Sequence, residues 1–130
     1  MNWRSLSSKT EFQRVYDNGA KRVGRYVVVY LLPAEDFGSA VVASRKIGGA
    51  VQRNRAKRLL REARRLGRLG DRTEVQGIFE RFFPQAEPQH GSREEAKTGL
   101  WVVLLARHRI LRARAPEVRE ELDSLLNERI

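Results

Sequence analysis

The apolar positions along this 130-residue chain change period several times, and each change marks an element. Ser8 followed three residues later by Glu11 is a capping-box signature. Phe12, Val15 and Tyr16 then share one helical face before Gly19, which predicts a helix over about 8–18. Residues 25–32 (RYVVVYLL) turn β-branched and aromatic between Gly24 and Pro33. Residues 40–44 resume that character after a polar loop holding Phe37 and Gly38, and the two runs are expected to pair as antiparallel strands. Gly48 and Gly49 interrupt the second run. From Ala50 the spacing is helical, with Ala56, Leu59, Leu60, Ala63 and Leu66 on one side. Residues 100–106 (LWVVLLA) form a near-continuous apolar run, as in a strand that is central in its sheet or covered on both faces. Pro116 suits the first turn of a closing helix in which Val118, Leu122, Leu125 and Leu126 share a face.

Between the second helix and the last strand, residues 71–99 carry six acids, four bases and two prolines, unlike everything around them. Ile78, Phe79, Phe82 and Phe83 have helical spacing there and are expected to dock as one or two turns, while 84–99 reads as flexible. The length fits one domain over 1–130, with 71–99 as an insertion. The absence of cysteine excludes disulfides, thiolate metal sites and thiol nucleophiles, and fits a reducing compartment. No signal-peptide core and no apolar run near the roughly 20 residues of a membrane span is present, so a cytoplasmic protein with no membrane partner is expected. No internal repeat is found.

Charge changes the picture most. The chain carries 26 basic and 16 acidic residues, a net +10, and residues 44–68 alone hold ten Lys or Arg against the single acid Glu62. Such a field concentrates polyanions. Twenty-one of the cations are Arg, whose planar fork pairs two phosphate oxygens and stacks on bases. On a helix, Arg53, Lys57, Arg61 and Arg64 follow one row, and Asn54, Arg58, Arg61 and Arg65 the adjoining one, while Arg55 widens the set. Like charges at these spacings repel by a few tenths of a kcal/mol per pair unless a partner neutralises them, and phosphate is the natural remedy.

Gly48 and Gly49 precede that helix, where free amides could seat a phosphate or a turn could need positive φ. Phe12, Tyr16, Tyr26 and Tyr30 could line a surface where the first helix meets the sheet, and exposed rings stack on unpaired bases. His90 and His108 stand alone, with no ligand set or triad around them. Glu117, Glu120, Glu121 and Asp123 gather at the start of the last helix, where they complement its dipole. No catalytic group and no metal site emerges from these residues.

The stretch KIGGAVQRNRAKRLLREA resembles the signature of the bacterial ribonuclease P protein component, with Arg53, Asn54 and Arg55 matching its Arg-Asn-Arg core. The resemblance extends to EFQRVYDNG (11–19), RYVVVYLL (25–32), AVVASRKIG (40–48) and VVLLAR (102–107) followed by a terminal helix. It implies an α+β sandwich in the order α-β-β(-β)-α-β-α, ribosomal-protein-like, with a short strand possible before Arg25 and a left-handed β-α-β crossover. It also implies a protein subunit that works with a catalytic RNA, which uses Mg2+, to remove the 5′ leader of precursor tRNA, with no protein partner required. Carried over by position, Arg53, Asn54, Arg55, Lys57, Arg58 and Arg61, continued by Arg64 and Arg65, would face the RNA subunit. Phe12, Tyr16 and Tyr30 would line the leader cleft, with Arg45 and Lys46 near its rim. The chain departs from the family pattern in its long acidic 71–99 stretch, and at Gln52 and Ala56, where larger apolar residues are common.

Two other readings share the charge. A ribosomal or RNA-chaperone protein does not require the Arg-Asn-Arg pattern beside an aromatic cleft. A DNA regulator would need the basic helix in a helix-turn-helix setting, and here strands flank it.

Overall fold

The computed structural model describes residues 1–84 and 98–127. The elements run β1 (Arg4–Ser5), α1 (Lys9–Asn18), β2 (Ala20–Val23), β3 (Val27–Ala34), β4 (Gly38–Val42), α2 (Ala50–Leu66), α3 (Arg72–Phe82), β5 (Gly99–Ala106) and α4 (Ala115–Leu125). Short 3-10 turns cover Arg45–Ile47, Arg68–Gly70 and His108–Arg112. The α+β class and the expected elements are present. Two elements go beyond the expected order, β1 before α1 and α3 as a full helix of 11 residues, while β2 is the short strand that the resemblance allowed before Arg25. Residues 85–97, with His90 and most of the stretch expected to be flexible, lie outside the described residues.

The strands form one sheet in the order β1-β4-β5-β3-β2. β3 and β4 are therefore not partners as expected. They run in opposite directions, but β5 lies between them, antiparallel to β3 and parallel to β4. The reason is visible in β5 itself: a strand apolar at nearly every position gains most by taking the centre, where both faces are covered. The connection from β4 through α2 and α3 then returns to a parallel neighbour.

Alternation along the central strands builds two cores. Val27, Val29 and Leu31 of β3, with Leu100, Val102 and Leu104 of β5, face α2, α3 and α4. Leu32 and Ala34, with Trp101 and Val103, face Leu6 and the buried Val15 of α1. Within α2 the face Ala56, Leu59, Leu60 and Ala63 is buried as read from its spacing, but Leu66 is 49% exposed because the helix ends there. Ala56 is fully buried, and the exposed Gln52 folds over the Gly48–Gly49 turn, so neither position is a packing defect. Gly48 has φ 143°, a conformation that requires glycine. The docked reading of 78–83 holds: Val75, Ile78 and Phe82 of α3 are buried, with Phe79 and Phe83 packed beside them.

The acids of α4 are a correction. Glu117 caps the helix start by accepting from Arg114 N at 2.9 Å. Glu121 and Asp123 do not serve the dipole. Glu121 accepts from the amides of Arg25, Tyr26 and Val27, and Asp123 from that of Arg68 at 3.0 Å. Both tie α4 to other elements.

At the outer end of the sheet, Arg4 bridges Asp36 at 2.7 Å and Glu11 at 2.8 Å. Glu11 also accepts from the amides of Ser8 and Ser7, and these bonds, with Arg4, hold its carboxyl down at about 2. Arg4, then Trp101 Nε1, lower that of Asp36. Depressed carboxylates contribute stability above their unfolded pKa and lose it as pH falls through the folded one. Thermal midpoints are thus expected to drop as pH goes from about 4.5 to about 2, and less steeply in Arg4→Ala. Parallel curves for the two proteins would refute the role of this cluster.

Candidate RNA interface

Helix α2 carries the cationic positions on the face away from its buried stripe. Asn54, Arg55, Arg58, Arg61 and Arg65 are exposed, and Arg53, Lys57 and Arg64 are half-buried. None of the four ion pairs among the described residues involves α2, so its guanidinium groups meet no carboxylate there. Two of the expected contacts are only partly outward. Arg64 donates from Nη1 to the buried Ser39 Oγ at 2.9 Å, and burial, then the neighbouring Arg61, lower its pKa. Arg53 buries its Nε with no hydrogen-bond partner among the described residues. The outward set is therefore Arg55, Arg58, Arg61 and Arg65, with Asn54 beside them.

On the opposite sheet face, Phe12 and Tyr16 stack with centroids 6.1 Å apart, and Tyr16 meets Tyr30 edge-on at 5.0 Å. The helical step from 12 to 16 and the register that points Tyr30 toward α1 bring the three rings into one cluster, at the place expected for the leader cleft. Tyr16 is 39% exposed, and burial, then Tyr30, raise its phenol pKa. Lys21 Nζ lies 5.7 Å over the Tyr30 ring, a cation at the cleft that sequence reasoning missed although β2 pairs Lys21 directly with Tyr30. Tyr26 does not join. Its side chain packs toward α4, with its hydroxyl 3.4 Å from Glu117 Oε2. Arg45 and Lys46 are exposed in the turn after β4, the strand whose Ala40 and Val42 pack in the same apolar cluster as Phe12 and Tyr30. His108 is exposed in the turn after β5. Among the described residues no three acidic or histidine side chains group as a metal site, and no helix is long and apolar enough to cross a membrane.

The chain is an α+β protein whose mixed sheet carries, on one face, a basic helix with no carboxylate partner among the described residues and, on the other, an aromatic cluster. The sequence pattern of the Ribonuclease P family matches residues 2–79, and the chain belongs to that family. The ribonuclease P protein component of Symbiobacterium thermophilum is 32% identical over 123 residues, covering 92% of this chain and 85% of the relative. That of Coprothermobacter proteolyticus is 52% identical over 58 residues, so the matched stretch spans 45% of this chain and about half, 49%, of that relative's length. The fold is similar to those of the RNase P proteins of Staphylococcus aureus (TM-score 0.63, 20% identity, 96% of this chain and 94% of the other) and Thermotoga maritima (TM-score 0.62, 24% identity, 96% of each).

Proposed function

We propose that this chain is the protein subunit of ribonuclease P. It binds the catalytic RNA through α2, holds the single-stranded 5′ leader of precursor tRNA in the Phe12, Tyr16 and Tyr30 cleft, and so promotes endonucleolytic release of the leader in the cytoplasm. The hydrolytic chemistry and its Mg2+ belong to the RNA. The carrying observation is the row of outward cations on α2 that has no carboxylate partner among the described residues. Phosphates supply the missing counter-charge, and because binding releases counterions the affinity falls steeply with salt. The aromatic cleft on the other sheet face adds a surface that tells an unpaired leader from a mature end, since stacking needs a free base.

The direct test is cleavage of precursor tRNA by a bacterial ribonuclease P RNA at physiological Mg2+, with and without the protein. Strong stimulation at the 5′ junction is expected; tight RNA binding without stimulation would move the chain to general RNA binding. A second expectation concerns the cleft. Tyr30→Ala should weaken precursor tRNA binding by about 1–3 kcal/mol through lost stacking, and mature tRNA binding far less. Equal losses for both RNAs would remove the leader from the cleft.

A further inference from the structure

The C-terminal half of α2 walls a cleft of about 730 Å3 whose opposite side is formed by the chain start and Gly70. Arg58, Arg61 and Arg65 line it, with Glu62 as the acid among its lining residues, and Trp3 lies on its far wall. The Trp3 indole is fixed: its Nε1 donates to Leu69 O at 2.9 Å, and the ring meets Phe37 edge-on at 6.0 Å. It is half-buried and packs against the larger core, on the sheet face opposite the Tyr30 cleft. The cleft is thus a second aromatic-plus-cation site, separate from the one already described.

We propose that this cleft takes one unpaired nucleotide of an RNA, its base packed on Trp3 and its phosphate held by Arg58, Arg61 and Arg65. The proposal rests on the reading that α2 meets RNA, and adds a specific, base-dependent contact to it. Three features point to a nucleotide over a bare anion. The volume falls within the roughly 300–1,000 Å3 of small-molecule sites, far more than a phosphate needs. Arg58, Arg61 and Arg65 line the cleft without ion pairs to any described residue. A rigid indole beside clustered guanidinium groups is the pairing that binds an unstacked base together with its phosphate. A duplex cannot offer that base, so the site would anchor the protein at a bulge, loop or single-stranded end.

Tryptophan emission tests this in the intact chain, because the other tryptophan, Trp101, is buried in the smaller core. The protein is titrated with ribonuclease P RNA, with precursor tRNA and with inorganic phosphate, and the Trp3→Phe trace is subtracted. One of the two RNAs is expected to change Trp3 emission, and which one does so identifies the source of the nucleotide. Phosphate alone should not. Trp3→Ala should weaken binding of that RNA about tenfold, while Trp3→Phe, which keeps a ring, retains most of it. An emission change equal for phosphate and RNA, or no Trp3 response to either RNA, would overturn the proposal. Its failure is separable from failure of the wider reading: if alanine at Arg55, Arg58 and Arg65 abolishes RNA affinity while Trp3 stays silent, only the cleft falls.

Discussion

Replacing Arg55, Arg58 and Arg65 together by alanine is expected to weaken binding of the ribonuclease P RNA about 100- to 1,000-fold, at about 1 to 1.4 kcal/mol for each charged contact. The slope of log affinity against log salt should flatten by about 2 to 3, one unit or slightly less per lost phosphate contact. The fold should not suffer. All three side chains are exposed, and none hydrogen-bonds or ion-pairs among the described residues. Arg55 and Arg58 stand three apart, as do Arg58 and Arg61, so their removal relieves repulsion in the helix and the thermal midpoint should hold or rise slightly. Lost affinity with an unchanged salt slope would mean that these residues do not meet phosphate. Arg53 is a poorer choice for this experiment despite its place in the Arg-Asn-Arg core, because its half-buried side chain confounds binding with packing.

The parts of the fold legible in the sequence are those that a local pattern encodes. The Ser8–Glu11 box starts α1 as read, and the period change at Ala50 starts α2. What was missed depends on long-range partners. β3 and β4 look like a hairpin because a short polar loop joins them, and only the sheet shows that the central place goes to β5, the most apolar strand. The cationic row was legible because charge at helical spacing needs no partner to be seen. The inward turn of Arg64 was not, since it requires the buried Ser39 of a distant strand. Two features of the sequence carry more than their local pattern: Asp71 three residues before Glu74 marks the start of α3, and its side chain does accept from Glu74 N at 3.1 Å. The early Trp3 was the other, an aromatic close to a basic chain segment only once the sheet is folded.

Glu121→Ala is expected to cost about 3 kcal/mol of stability and roughly 10 °C of thermal midpoint. Its carboxylate accepts three backbone amides in a row, from Arg25 at 2.5 Å, Tyr26 at 2.7 Å and Val27 at 3.0 Å. Gly24 leaves it room, since a Cβ there would lie 2.5 Å from the carboxyl carbon. Removing the acceptor strands amides that lead into β3, two of them partly buried, and each lost charge-assisted bond is worth about 1.5 kcal/mol or more when its partner stays behind. Glu121→Gln should recover part of the loss, because its amide oxygen can still accept from Tyr26 and Val27 while its nitrogen turns a donor toward the Arg25 amide. The residue also joins the two halves of the proposed RNA site. α4 packs along α2, which carries the cations, while β3 carries Tyr30 into the cleft on the other face. Loosening the clamp should therefore weaken precursor tRNA discrimination at temperatures where α2 still binds RNA. Urea unfolding alongside precursor and mature tRNA binding measures both effects. A stability loss under about 1 kcal/mol would show that water satisfies those amides and that the clamp is dispensable.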